Sequence, residues 1–593
     1  MAAAVDNSAV VGGEKSALGA VDAGMAEAVR GRAGQARPGV EVVARGLRSS
    51  RGGRCVLHDV SLALRPGELV GIVGGSGAGK TTLLEALAGV RPADEGQVLF
   101  DGVDLYTRLD AFRSVLGYVP QDDIIHAELP LGRTLRYAAS LRLPGAGGRE
   151  VQAAVSRAMA ALDLSERAEV RVGDLSGGQR KRASIAVELL TEPPVFFLDE
   201  PSSGLDPATG AELVGALRRL ADSGSTVVFT THTPQDLACC ERVVVLARDG
   251  YLAFAGSTEE ACRYFAVERL DEIYGRLARD ATPEEWARRF QTHAADEEDA
   301  SEEPAPTTPS PAARRRVGFV RQWAVLTRRT FETLARNPLT MAILLGSPAM
   351  VVAMFVILFR PGAFDFTHPS PSAVTMILFW ITFGAFFFGI TYGLLQIVTE
   401  RAILRREHLV GQRLSAYLLS KLTVLLPFLL VVVVLMLAVL RAVDRLPAAS
   451  TGTYVSLGVT LLLEAAAALT LGLMISAAVE NPSQATLALP MACFPAVLFS
   501  GAILPVHVMA GVGAAISTVV PVRWAFEATG HALGVRNLLL DGGSPLGPPL
   551  VHAYGNAGHN ATGTYWLYLG IFVVVFFAGA WATLARNCRR QAA

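Results

Sequence analysis

A glycine-rich run that ends in a lysine and two threonines, GGSGAGKTT at residues 74–82, has the spacing of a phosphate-binding loop. It follows the apolar stretch LVGIV and precedes LLEALAG, so a strand should lead into it and a helix should follow. Backbone N–H groups of such a loop wrap phosphate oxygens, the lysine reaches the β- and γ-phosphates, and the first threonine supplies an Mg²⁺ ligand. The residues predicted to bind nucleotide phosphates are Gly74, Gly75, Ser76, Gly77, Ala78, Gly79, Lys80, Thr81 and Thr82.

An acidic pair follows four apolar residues in VFFLDE, residues 195–200. The apolar run predicts a buried parallel strand, and the pair would then lie at its carboxyl end. We expect Asp199 to hold Mg²⁺ and Glu200 to polarise the attacking water, because metal and water must sit side by side. The structural alternative is a salt-bridged pair at a strand end.

Three single residues have weaker signals. Gln121 in GYVPQDD could contact Mg²⁺ and water, Asp206 follows Glu200 in a turn, and His232 ends the strand-like TVVFTTH, where it could contact the γ-phosphate. Taken alone, Gln121 would more often be a surface residue and His232 a structural one. Their order and spacing relative to the two motifs above favour a role in the same site.

A second anion site is predicted at LSGGQ, residues 175–179. Ser176, Gly177 and Gly178 precede an apolar-periodic run and should open a helix. The N-terminus of a helix binds anions through its free N–H groups. We therefore add Ser176, Gly177, Gly178 and Gln179 to the predicted nucleotide-binding residues, together with Asp206.

In this order, the motifs resemble the ATPase domain of ABC transporters over residues 40–265, and LSGGQ separates that family from other P-loop ATPases. DGYLAFAGS at 249–257 is similar to the end of this domain in the G (white-type) subfamily. The resemblance implies an α/β P-loop fold, ATP and Mg²⁺ as cofactors, Glu200, His232 and Gln121 as catalytic residues, and Thr81, Gln121 and Asp199 as metal ligands. No Phe, Tyr or Trp precedes Phe100, so adenine stacking must come from another residue or be weak.

Composition divides the rest of the 593 residues. We expect residues 1–38 to be a disordered tail and residues 266–313 to be a helical segment with an acidic, then Pro-rich linker, either a plain spacer or a phosphorylated one. Residues 314–340 predict a basic amphipathic connecting helix at the membrane surface rather than a nucleic-acid arm. The six cysteines lack metal spacing and should be reduced thiols.

Residues 341–593 read as an all-α membrane domain of six helices, at about 341–359, 374–398, 418–440, 454–479, 485–504 and 565–585. Basic clusters before the first span, between spans two and three, and at the C-terminus put these three regions and the ATPase domain in the cytoplasm of a plasma-membrane protein. Residues 505–564 are the long outer segment, in which 509–518 could form a re-entrant or surface helix.

The order of an ATPase domain followed by a membrane domain matches the G subfamily and its bacterial relatives. Residues 399–421 resemble the region that docks onto the ATPase domain in that family, which implies a docking role for Glu400–Arg413. Glu464 lies inside span four, where a charge is costly, and could serve substrate or coupling or belong to a buried structural pair. SGAILP at 500–505 is a possible gate.

The resulting hypothesis is an ATP-hydrolysing half-transporter that dimerises with a second copy of itself or with a related half-transporter. It would export a hydrophobic or amphipathic substrate, contact membrane lipids and bind no nucleic acid. Import is less favoured because no separate solute-binding domain is recognised. The alternative is a membrane-anchored ABC ATPase with a signalling or assembly role, whereas a soluble ABC ATPase is excluded by the spans.

Overall fold

A computed structural model describes residues 39–112, 116–298, 317–554 and 560–590. These residues form two compact units. The first contains the described residues up to Asp123 and those from Gly177 to 298; the second contains Ile124–Ser176 and those from 317 onward. The predicted tail at 1–38 and most of the acidic, Pro-rich linker lie outside the described residues.

The first unit is built on two sheets. An antiparallel sheet has the order β2-β1-β4-β5, and a second sheet has the order β10-β9-β3-β8-β7-β6, parallel except for its edge strand β10. The strands are β1 Val42–Arg51, β2 Arg54–Leu64, β3 Leu69–Gly74, β4 Glu95–Phe100, β5 Val103–Asp104, β6 Leu116–Val119, β7 Val195–Leu198, β8 Thr226–Thr230, β9 Arg242–Leu246 and β10 Leu252–Ser257.

Helices of the first unit cover the parallel strands, whose side chains are buried on both faces, as such sheets require. A shared core joins the two sheets to the first helix through residues such as Ile72, Leu84 and Phe100. The helices are α1 Lys80–Leu87, α2 Leu109–Phe112, α5 Gly177–Leu189, α6 Pro207–Asp222, α7 Thr258–Tyr264, α8 Ile273–Arg279 and α9 Pro283–Glu298, with α3 and α4 in the second unit.

Helices are the main regular elements of the second unit within its described residues. It combines α3 Leu131–Arg142 and α4 Gly148–Ala161 with the helices after the linker. These are α10 Phe319–Arg336, α11 Pro338–Leu358, α12 Pro371–Leu394, α13 Arg401–Leu409, α14 Leu414–Ala442, α15 Thr451–Ala478, α16 Pro482–Leu498, α17 Gly511–Thr518, α18 Pro521–Ala532, α19 Val535–Asp541, α20 Gly547–Tyr554 and α21 Thr562–Arg590.

Glycines let α12 and α15 pack backbone to backbone. A Cβ at Gly389 would lie 2.2 Å from the carbonyl oxygen of Ala465, and one at Gly393 would lie 2.4 Å from that of Leu469. Small residues at helix contacts are typical of membrane bundles, where close packing replaces hydrophobic burial as the main attraction. These two helices therefore pack at backbone contact distance within the second unit.

Four membrane spans are supported by helix length and hydropathy within the described residues: Pro371–Leu409, Leu414–Ala442, Thr451–Ala478 and Thr562–Cys588. They correspond to the predicted spans two, three, four and six. The predicted first and fifth spans fall on α11 and α16. Helix α16 has 17 residues and contains Pro490 and Pro495, so it is about 25 Å long at 1.5 Å per residue, shorter than a bilayer core of about 30 Å.

Candidate functional site

The predicted phosphate loop connects β3 to α1, as its motif requires. Gly77 and Gly79 have φ values of 75° and 85°, a region in which a side chain would be strained. Lys80 is buried at the first position of α1, and its ammonium donates hydrogen bonds to the carbonyl oxygens of Gly74 and Gly75, at 3.0 and 3.2 Å. The ammonium group of Lys80 therefore lies against the backbone at the start of the phosphate loop.

Asp199 follows β7 and is 3% exposed. Its Oδ1 accepts hydrogen bonds from the hydroxyls of Thr81, at 3.1 Å, and Thr230, at 2.6 Å. The predicted metal ligands Thr81 and Asp199 are thus in contact although 118 residues separate them in sequence.

Glu200 has a left-handed backbone with φ of 44°, and its N–H donates to the hydroxyl of Thr230 at 2.8 Å. Residues held in such sparsely populated conformations cluster at active sites. Its Oε2 accepts a hydrogen bond from Gln121 Nε2 at 3.2 Å and lies 3.5 Å from Nδ1 of the exposed His232. The structure thereby brings together the three predicted catalytic residues.

Two residues that the sequence analysis did not select organise this site. Thr230 binds both Asp199 and the backbone of Glu200. Asp236, 7% exposed, accepts hydrogen bonds through Oδ2 from the hydroxyls of Ser202, at 2.6 Å, and Thr231, at 2.7 Å. Asp236 therefore connects the segment after Glu200 to the residue before His232. No local sequence pattern predicts this connection.

The predicted signature residues open α5, which begins at Gly177. A Cβ at Gly178 would lie 2.4 Å from the Cγ2 of Thr209, so α5 packs closely on the start of α6. Asp206 caps α6 by accepting a hydrogen bond from the N–H of Thr209 at 3.0 Å, and the bonds from Thr209 lower the pKa of Asp206. Gly178 and Asp206 are therefore neighbours through Thr209.

Lys181 links α5 to the loop that carries Gln121. It is 5% exposed, its ammonium donates to the carbonyl oxygen of Gln121, and it lies 3.9 Å from Oδ1 of Asp123. Burial lowers the pKa of Lys181, against the opposing effect of Asp123. The loop glutamine is thus held at its main chain by the signature helix and directed at Glu200 by its side chain.

The donor set fits Mg²⁺ better than a metal held by protein alone. Among the residues that the structure describes, no group of three or more His, Cys, Asp or Glu side chains could hold a metal ion. Mg²⁺ commonly binds one or two carboxylates together with substrate phosphates and water. One buried carboxylate, Asp199, beside the hydroxyl of Thr81 at the mouth of a phosphate loop meets that description.

In the second unit, buried ion pairs join the predicted docking segment to α10 and to α14. Arg329 binds Glu407 through both guanidinium nitrogens, one of them at 2.9 Å, and the two side chains are 5% and 12% exposed. Glu400 accepts hydrogen bonds from Lys421 and from the hydroxyl of Tyr417, each at 2.8 Å. Within the predicted docking range Glu400–Arg413, both acidic side chains named here are therefore paired.

The segment Ile124–Ser176 is joined to the same cluster. Arg406 donates a 2.7 Å hydrogen bond to the carbonyl oxygen of Ile124, and the hydroxyl of Tyr137 on α3 donates one of 2.6 Å to Glu332 on α10. His126 is 6% exposed, and burial, followed by the charge of Arg329, lowers its pKa to about 4. This part of the chain is therefore packed against helices that lead into the membrane spans.

Glu464, on α15, is fully buried, and neither of its carboxylate oxygens has a hydrogen-bond partner among the described residues. A buried structural pair, one of the two predicted roles, is therefore not found in that part of the chain. The other role, in substrate handling or coupling, stays a prediction.

Comparisons with known proteins agree with this arrangement. Residues 57–203 match the ABC transporter family, and residues 321–532 match the ABC-2 type transporter family. An ABC transporter ATP-binding/permease protein of Mycobacterium tuberculosis is 31% identical over 540 residues, which cover 88% of this chain and 60% of that protein. Protein scarlet of Drosophila melanogaster is 34% identical over 41% of this chain and 39% of its own length.

ATP-binding cassette sub-family G member 5 of Mus musculus is 37% identical over 36% of this chain and 34% of its own length. The chain thus spans 60% of the mycobacterial relative and less than two fifths of the other two. The predicted family and domain order are confirmed. With an ATP-binding ABC ATPase domain followed by an ABC-2 membrane domain, the chain belongs to the ABC transporters and has the domain order of the G subfamily.

Proposed function

We propose that this protein is an ATP-hydrolysing half-transporter that works as a dimer, preferably of two identical copies. It would span the plasma membrane six times, keep its ATPase domain in the cytoplasm and export a hydrophobic or amphipathic substrate.

One observation carries the proposal. The segment Ile124–Ser176, which the chain inserts between Gln121 and the signature glycines, packs against α10 and α13 through Tyr137–Glu332 and Arg406–Ile124. A mere membrane anchor would not need part of the ATPase sequence to be built into the helical unit. The chain thus runs directly from Gln121 in the candidate site into a segment packed on the helices before the membrane spans. This supports a mechanism in which ATP hydrolysis moves those helices.

The chemistry follows from the contacts around Glu200. Its carboxylate would accept a proton from the attacking water, and Gln121 would orient the carboxylate and the water. His232 would contact the γ-phosphate. When bound through Thr81, Asp199 and Gln121, Mg²⁺ would neutralise charge on the β- and γ-phosphates. Lys80 would turn from the carbonyl oxygens of the loop to the phosphates.

Dimerisation is inferred from the signature motif. Its glycines open a 13-residue helix, α5, whose N-terminal N–H groups suit an anion, while the phosphate loop would already surround the nucleotide of its own chain. We infer that Ser176, Gly177, Gly178 and Gln179 of one chain cover the ATP bound by the other, with Asp206 beside them. Each ATP would then lie between two chains related by two-fold symmetry.

Complementation between two inactive variants tests this sharing. Ser176→Arg blocks the signature site and should abolish hydrolysis, while ATP binding to the separated subunit stays nearly intact. Lys80→Ala removes the phosphate contact. In a mixture of the two, half of the dimers are mixed and each has one intact composite site, so about a quarter of the wild-type ATPase rate should return. Failure of the mixture to exceed either variant alone, with dimers still formed, would rule out shared sites.

Transport itself is tested in proteoliposomes. Inside-out vesicles should accumulate an amphipathic fluorescent probe, NBD-phosphatidylethanolamine or tetramethylrhodamine ethyl ester, only when ATP is supplied outside. The same vesicles made with the Ser176→Arg variant are the control. ATP turnover without movement of any probe, and without stimulation by one, would favour a membrane-anchored ATPase with another role.

A further inference from the structure

A groove of about 590 Å³ runs between α10 and α14, a volume within the range of small-molecule pockets. Its walls are largely apolar and include Trp323 and Phe331 from α10 and Pro427, Phe428 and Val431 from α14. The indole N–H of Trp323 on α10 donates to the hydroxyl of Thr423 on α14 at 3.0 Å. We call this feature the α10–α14 groove.

The α10–α14 groove continues into an exposed apolar stripe on a membrane span. Val431 is 57% exposed, and Val434 and Leu435, one turn further along α14, are 56% and 47% exposed. These positions recur every three or four residues and so share one outward face of the helix. Since α14 is one of the four supported spans, a chain lying in the groove can continue along this face among the lipid tails.

A positively charged side chain, that of Arg328, lies on the α10 side of the groove. Of the four arginines on α10, Arg321 donates to the carbonyl oxygen of Ala146, Arg329 pairs with Glu407, and Arg336 pairs with Glu332. The fourth, Arg328, lines the groove and is exposed. It makes no hydrogen bond or ion pair with any residue that the structure describes.

We propose that the α10–α14 groove binds an anionic glycerophospholipid, with one acyl chain between Trp323 and Val431 and its phosphate against Arg328. Tryptophan and arginine are the side chains expected at the level of lipid headgroups. A second copy of this chain covering the apolar wall is the alternative that the test below distinguishes. The inference concerns lipid binding alone and holds whether or not the protein exports a solute.

Native mass spectrometry of the full chain in detergent tests the proposal, with phosphatidylglycerol and phosphatidylcholine of matched chains as probes. Arg328→Gln should weaken retention of phosphatidylglycerol about fivefold, since roughly 1 kcal/mol accompanies each basic side chain near an anionic lipid surface, and should leave phosphatidylcholine unchanged. Val431→Trp should fill the groove and reduce retention of both lipids. Glycerol phosphate at the same concentration should not compete, because the headgroup alone lacks the acyl chain.

Arg441→Gln is the matched control, because Arg441 is also exposed but lies at the opposite end of α14; it should retain phosphatidylglycerol like the wild type. Equal retention of phosphatidylglycerol by the wild type, Arg328→Gln and Val431→Trp would overturn the proposal. So would a change of oligomeric mass in Val431→Trp with lipid retention unaltered, which would make the groove an interface between copies.

Discussion

Replacing Glu200 with Gln should reduce the rate of ATP hydrolysis by about a hundredfold to ten-thousandfold, the usual contribution of a general base. The amide has the shape of the carboxylate and can still accept the hydrogen bond from Gln121, but it cannot take a proton from water. The backbone contact of Glu200 with Thr230 does not involve the side chain. The variant should therefore fold normally, bind ATP and accumulate as a closed dimer with nucleotide trapped inside.

Steady-state ATPase assays and retention of labelled ATP after rapid gel filtration measure both effects. Glu192→Gln is the matched control, because Glu192 also has a left-handed backbone, with φ of 46°, but stands before β7 rather than after it. We expect that control to hydrolyse ATP at the wild-type rate. Wild-type hydrolysis by Glu200→Gln would show that another group accepts the proton.

Replacing Arg329 with Met should destabilise the helical unit by about 3–5 kcal/mol, the usual cost of removing one partner from a buried ion pair. Glu407 would be left buried without the two hydrogen bonds that Arg329 supplies. A double variant, Arg329→Met with Glu407→Met, should recover most of the loss, since two apolar side chains replace the pair without leaving a charge.

Thermal unfolding of the detergent-purified protein, followed by tryptophan fluorescence, measures the stability of the three forms. Arg269→Met is the control, because its pair with Asp271 is 74% and 45% exposed and should contribute no more than about 1 kcal/mol. Where the single variant still folds, basal ATPase should persist, while any stimulation of hydrolysis by the amphipathic probes should be lost. Equal melting temperatures for the single and the double variant would contradict a pair that matters for stability.

The candidate nucleotide site shows which residues can be predicted from the sequence and which cannot. The roles of residues 74–82 and 195–200 could be predicted because each motif is local in sequence. The glycines and the lysine follow one strand, β3, and the acidic pair follows another, β7. Thr230, Asp236 and Lys181 could not, because their roles arise only when β7, β8 and α5 come together in the fold. Hydroxyls and lysines are too common in sequence for such contacts to be recognised beforehand.

The membrane half shows a similar limit. Hydropathy was sufficient for α12, α14, α15 and α21, whose apolar runs are long. It could not reveal that Ile124–Ser176 belongs to the helical unit, because the contacts of Tyr137 and Arg406 join positions 195 and 282 residues apart. The two roles expected for Glu464, in substrate handling or coupling or in a buried pair, followed from the cost of a charge in lipid. No local pattern identifies the residues that surround it.

The chain leaves the first unit two residues after Gln121 and re-enters it between Ser176 and Gly177. The polypeptide therefore passes between its two units beside the residue that contacts Glu200 and within the motif that we assign to the partner's ATP. The phosphate loop, by contrast, lies on an uninterrupted stretch of the first unit. Under the proposed export function, we therefore expect a transported solute to change the turnover number of ATP hydrolysis and to leave the affinity for ATP nearly constant.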